Sequence, residues 1–218
     1  MIFRVIIVKW QRPCSIMMKF VHFSLFVFLM SFNGLVLSGQ TVNWLSWEEA
    51  MDKTELEPRK ILVDIYTEWC TWCKKMDQTT FADPELVEYL NNNYYSIKFD
   101  AQSKNPITYK NKTYHLENSI WKGGYHQLTA VITQNQSRKL PTIVFLDESS
   151  DPIQAIPGFR SAQEMKLMAT YFNGNYHKTT PWKTFVSIYH SEQKRAKSFK
   201  HDTSIQVNTK LVTQKRNN

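Results

Sequence analysis

Cys70 and Cys73 flank Thr71 and Trp72. At that spacing two thiols fall within one helical turn and can close a disulfide. The chemistry this permits is thiol–disulfide exchange: a thiolate attacks a disulfide sulfur, and the second thiol resolves the mixed disulfide. Metal binding is the alternative. A tetrahedral zinc site needs four ligands, and beyond Cys14 near the N-terminus the chain has no further cysteine. His115 and His126 would have to complete such a site from a different part of the chain.

The flanking residues predict how the pair is held. Ile61-Leu62-Val63-Asp64-Ile65-Tyr66 is rich in β-branched and aromatic residues and reads as a buried strand. Lys74-Lys75-Met76-Asp77 reads as helix. The cysteines therefore sit where a strand hands over to a helix, at the helix's positive end, where a thiolate is stabilised. Cys70 is the expected nucleophile, as the more N-terminal and more exposed thiol. Cys73, one turn further in, is the expected resolving thiol. Trp69 and Trp72 put apolar surface on either side, as a docking platform or as rim packing.

The rest of the chain supplies the surrounding elements. Ser46 and Glu49 form a capping box for a helix to Leu56, ended by Pro58. Asp83-Pro84 starts another helix, and Tyr94–Asp100 is a second strand. Ile107–Leu116 predicts a hairpin turning at Asn111-Lys112, and Tyr125–Thr133 is weakly helical. Trp121–His126 is either a lid or an extended loop. Thr142–Leu146 and Pro152–Pro157 are strands joined by a turn. Ser161 and Glu164 open a helix with Met165, Met168, Ala169 and Phe172 on one face, stopped by Gly174. Trp182, Phe185, Val186 and Tyr189 mark a short last helix, and the chain is polar after about Gln193. A βαβ unit followed by a hairpin and a covering helix predicts a three-layer α/β/α sandwich.

The N-terminus reads as an export signal. The first 39 residues hold Arg4, Lys9, Arg12 and Lys19 and no acid, and Phe20 to Leu37 is almost wholly apolar. Met17 or Met18 is a plausible start, and cleavage is expected after Ser38 or Gly39. An uncleaved signal anchor is the alternative. Gln40, where a lipoprotein would carry cysteine, argues against lipid anchoring. With the signal removed, Cys70 and Cys73 are the only thiols. A bridge over two residues constrains the unfolded chain little, so reactivity explains the pair better than stability does.

The net charge of +8 is carried by the ends. Residues 183–218 hold eight basic and two acidic residues, whereas 40–182 hold 15 basic and 17 acidic. The central segment shows no nucleic-acid footprint. The basic tail beyond 181 is expected to be a short helix and then disordered, solvated chain.

Three segments in order carry a family resemblance. Ile61 to Lys74 resembles the strand, active-site loop and helix start of the thioredoxin superfamily. Leu140-Pro141-Thr142-Ile143-Val144-Phe145 resembles its cis-proline strand, and Pro157-Gly158-Phe159 the end of the strand after it. The Trp-Cys-x-Trp-Cys-Lys-Lys-Met form is most similar to exported bacterial thioredoxin-like proteins and to the C-terminal domains of periplasmic thiol:disulfide interchange proteins. The resemblance spans about Trp47 to Phe172, within a domain expected over 40–180.

The resemblance implies roles. Asp64 becomes the buried acid that takes the Cys73 proton, with an exposed strand-edge aspartate as the alternative. Lys98 becomes its cationic partner. Pro141 follows a cis peptide bond and shapes a groove in which the Leu140 backbone pairs with a substrate strand. No cofactor is implied. Protein disulfides or dithiols are the implied substrates, a separate and possibly membrane-embedded redox partner recycles the pair, and the chain is read as a periplasmic monomer. Net reduction is implied. An oxidant or isomerase, or a non-catalytic binding or metal-handling module, are the alternatives. Two features depart from the family: Trp72 stands where proline is usual, and an insertion over about 101–137 precedes the cis-proline strand.

Overall fold

The computed structural model describes residues 40–117, 124–136, 139–196 and 198. The expected signal over 1–39, part of the 121–126 stretch and the end of the tail lie outside these residues.

The described chain begins with a two-residue strand that the sequence did not announce, β1 (Trp44–Leu45). Helix α1 (Trp47–Leu56) follows, and its capping box forms: Glu49 N–H donates to Ser46 Oγ at 3.1 Å, and Ser46 N–H donates to Glu49 Oε2 at 2.8 Å. Strand β2 (Ile61–Tyr66) leads into α2 (Thr71–Thr79). Helix α3 (Pro84–Asn93) opens with proline in its first turn, and Asp83 accepts from Leu86 N–H at 2.9 Å. Strand β3 (Tyr95–Asp100) completes the unit.

Two small hairpins come next, β4 (Ile107–Tyr109) with β5 (Lys112–Tyr114), and β6 (Leu116–Glu117) with β7 (Tyr125–His126). The first turns at Lys110-Asn111, one residue earlier than expected. Both residues are left-handed, at φ 50° and 60°, as a two-residue hairpin turn requires. Helix α4 (Gln127–Ile132) follows, then β8 (Thr142–Leu146), β9 (Pro152–Pro157) and α5 (Ala162–Asn173). A 3-10 turn at Tyr176–Lys178 precedes α6, over 182–196.

The main sheet has the order β1-β3-β2-β8-β9. Strand β3 runs parallel to β1 and β2, and β8 runs antiparallel to both β2 and β9. Side chains alternate across it, so one strand feeds two cores. Leu62, Ile143 and Phe145 pack with Met76 of α2, Leu86 and Leu90 of α3, and Met165 and Ala169 of α5. Ile61, Val63, Ile65, Ile97 and Phe99 pack with Trp47 and Ala50 of α1 and Leu128 and Ile132 of α4. This is the expected three-layer sandwich.

Two expectations change at its margins. The 101–137 segment is not all insertion, because α4 lies within it and covers one sheet face. Its extra structure is the pair of hairpins. The ordered domain also passes residue 180: Phe185 of α6 is buried in the first core, 5.0 Å between ring centroids from Tyr171, and α6 continues past Gln193.

Candidate active site

The site is built where β2 ends. Ala101 N–H donates to Tyr66 O at 2.9 Å, which holds the C-terminal end of β2 to that of β3. Thr67 O accepts from Cys70 N–H at 3.1 Å and turns the chain into α2. Cys70 is the N-cap of α2, in extended conformation, and its Sγ accepts from Cys73 N–H at 3.1 Å. A sulfur at this position receives a backbone donor and the helix's positive end, so the fold favours negative charge on Cys70. The two cysteines are joined as a disulfide, with Cα atoms 5.3 Å apart. Both are buried; Cys70 is only slightly more exposed, at 5% against 2%.

Asp64 is in the middle of β2 and 1% exposed, which removes the strand-edge alternative. It alternates with Val63 and Ile65, so it faces the side of the sheet that α2 covers. Its register partner on β3 is Lys98, whose Nζ lies 3.2 Å from Asp64 Oδ2. Asp64 Oδ1 is buried without a hydrogen-bond partner. Burial is the dominant influence on this carboxyl, and it pushes the pKa from 3.8 up to about 6 against the pull of Lys98. Asp77 raises it further.

Asp77 is the residue that sequence reasoning missed. It lies on α2 and forms a second ion pair with Lys98. The signal was available, because Asp77 is four residues after Cys73 and so on the same helix face. Lys98 is thus shared by two carboxylates. Its Nζ also lies 5.0 Å from the Trp44 ring centroid, 5.2 Å from Tyr66 and 5.7 Å from Phe81.

The peptide bond between Leu140 and Pro141 is cis, as expected. Thr142 pairs with Ile65 in antiparallel register, so Pro141 lies beside the C-terminal end of β2, at the cysteine end of the sheet. Pro141 O accepts from Gly158 N–H at 2.7 Å. Leu140 is half-buried against the core under α1 and α4.

The two tryptophans are held differently. Trp69 is 47% exposed, and its Nε1–H donates to Gln102 Oε1 at 2.8 Å. Trp72 is 55% exposed, its ring centroid 5.7 Å from Phe159. Lys75 Nζ lies 5.0 Å from the Trp72 centroid and 5.7 Å from Phe159. His126 is buried as the N-cap of α4, where Nδ1 accepts from Leu128 N–H at 3.2 Å. Among the described residues no group of three or more His, Cys, Asp or Glu side chains is placed to hold a metal ion.

The sequence matches the profile of the family Thioredox_DsbH (Protein of unknown function, DUF255) over residues 35–172. It is 31% identical over 64 residues to Spermatogenesis-associated protein 20 of Rattus norvegicus, covering 29% of this chain and 8% of that protein. It is 25% identical over 125 residues to the Thiol:disulfide interchange protein DsbD of Photorhabdus laumondii subsp. laumondii, covering 56% of this chain and 18% of that one. The chain thus spans less than a fifth of either relative. Among solved structures it aligns with one titled "DsbH Oxidoreductase" at 16% identity and a TM-score of 0.43, over 63% of this chain and 88% of the other.

Proposed function

Because the chain belongs to the Thioredox_DsbH family, we propose that it is an exported thiol–disulfide oxidoreductase acting on protein substrates, and that it works as a reductant. The observation that carries this reading is the Cys70–Cys73 disulfide at the start of α2, on the sheet face that also holds a buried carboxyl with a raised pKa. In the reduced protein the Cys70 thiolate attacks one sulfur of a substrate disulfide. The other substrate sulfur leaves as a thiolate and takes a proton from water. The Cys73 thiol then gives its proton to Asp64 and attacks Cys70 Sγ, which releases the second substrate thiolate. The substrate gains two electrons, and the protein returns to the disulfide form. A dithiol partner, membrane-embedded in this proposal, restores the reduced pair.

The register of β8 against β2 puts the Leu140 backbone at the cysteine end of the sheet, where an extended substrate strand would pair with it. Trp69 and Trp72 would flank that strand. Export to the periplasm rests on the basic, then apolar, acid-free sequence of residues 1–39. The reductive direction rests on the family resemblance of the Trp69-to-Met76 motif alone, and the relative stability of thiolate and disulfide sets it. The chain is proposed to act as a monomer without a bound cofactor.

Insulin reduction with dithiothreitol as electron source tests the proposal. Wild type is expected to accelerate precipitation of the insulin B chain, and Cys70→Ser is expected not to. A wild type without activity would sink the enzymatic reading, and a pair potential in the range of strong oxidants would reverse the direction.

A further inference from the structure

Gln102 follows β3 and touches both the active-site loop and the hairpin formed by β6 and β7. Its Oε1 accepts from Trp69 Nε1–H at 2.8 Å, and its Nε2–H donates to Gly124 O at 3.3 Å. Its own backbone is fixed as well, with Gln102 N–H donating to Asp100 Oδ1 at 2.9 Å. An amide side chain carries one acceptor and one donor head. Here each head serves a different element.

The backbone runs the same way. Tyr66 O accepts from Ala101 N–H at 2.9 Å, and Ala101 O accepts from His126 N–H at 2.7 Å. The end of β2, the end of β3 and the end of β7 are thereby stitched side by side. Gln127 N–H donates to His115 O at 2.9 Å, which closes the base of the hairpin. The hairpin is therefore anchored to the chain that leads into Cys70, and Gln102 extends that anchoring to the half-exposed indole beside the nucleophile.

We propose that Gln102 is a positioning residue that locks Gly124 and strand β7 to Trp69, making Gly124 and β7 one wall of the groove in which protein substrates present their disulfide. The inference rests on the exchange activity proposed above and names the side of the site that selects among substrates. Small disulfides reach the cysteines without the wall; folded or extended polypeptides must fit against it.

The full chain tests this with three variants. Gln102→Leu removes the bonds to Trp69 and to Gly124 O. Gln102→Glu keeps the acceptor for Trp69 but cannot donate to Gly124 O. Trp69→Phe removes the indole donor. Losing one such hydrogen bond corresponds to about a five-fold change. Gln102→Leu and Gln102→Glu are expected to raise KM for insulin about five-fold, with kcat and the rate on glutathione disulfide unchanged. A Gln102→Glu variant that matches wild type would overturn the proposal, because the link to Gly124 would then be idle. Equal loss on insulin and glutathione disulfide would also overturn it, since that marks altered thiol reactivity rather than a lost wall.

A second measurement does not depend on activity. Amide hydrogen exchange at Gln127 and His126 is expected to rise about five-fold in Gln102→Leu and in Trp69→Phe, without further rise in the double variant. Unchanged exchange in Trp69→Phe would overturn the coupling, even if the protein proved inactive on every disulfide. Activity lost in wild type with the exchange coupling intact would instead sink the enzymatic reading and keep the lock.

Discussion

Successive residues of β2 and β3 face two different environments. Ile61, Val63, Ile65, Tyr95, Ile97 and Phe99 point to the layer of α1 and α4 and form an apolar core. Leu62, Asp64, Tyr66, Ser96, Lys98 and Asp100 alternate with them and point to the layer that contains α2. Both faces belong to the same strands, and both are largely buried. The first stabilises the fold by removing apolar surface from water. The second gives up part of that stabilisation to hold a carboxylate and an ammonium under the helix that carries the cysteines. The charged groups proposed for the chemistry are thus on one side of the sheet, and the apolar side keeps them in place.

Four substitutions sharpen or break that contrast. The largest effect is expected for Cys73→Ser on the chemical face. It should abolish turnover and accumulate a mixed disulfide through Cys70, seen as a mass adduct released by dithiothreitol. Adducts on no substrate at all would break the assignment of Cys73 as resolving thiol.

Ile65→Ala on the apolar face should cost about 2–5 kcal/mol in urea unfolding, from lost transfer energy and the cavity left in a fully buried position. The folded fraction should keep its specific activity. A variant that is stable but inactive would show that the two faces are not separable.

Asp64→Asn should do the reverse. The wild-type carboxyl titrates near 6 when folded and 3.8 otherwise, so the folded state holds its proton more tightly. The resulting cost to stability is absent below about pH 3.8, grows as pH rises, and is complete above about pH 6. Removing the charge should therefore stabilise the protein at pH 7 by about 3 kcal/mol, at 1.36 kcal/mol per pH unit, and by little near pH 4. Insulin reduction should slow at the same time if Asp64 is the base for Cys73, as proposed above. A variant less stable at pH 7 would break the account of Asp64 as a strained, functional charge.

Lys98→Met should have the smallest effect. It removes the pull that holds Asp64 down and leaves Asp77 to push it up. The acidic limb of the pH–rate profile should move up by about one unit. An unmoved limb would assign it to another group.

Local signals read from the residues were met where short-range chemistry decides. Both capping boxes formed, because Ser and Glu three residues apart satisfy each other within one turn. The six-residue α4 and the two-residue β1 were harder to see, since each is too short for a period to emerge. They exist because the sheet offers them a face and an edge. Asp64 shows the same limit from the other side. In a strand apolar at nearly every position, alternation does not tell which face a single charge takes.

The sequence by itself determined the reactive pair, its place at a strand-to-helix junction and the order of layers, because these follow from neighbouring residues and from periodicity. Only the tertiary structure decided that Lys98 is shared by Asp64 and Asp77, that Gln102 joins Trp69 to the β6–β7 hairpin, and that Trp72 rests on Phe159 beneath Lys75. Those partners lie between 3 and 87 positions apart in the chain. Most are brought together by strand register and by the helix laid across it, which no local pattern encodes.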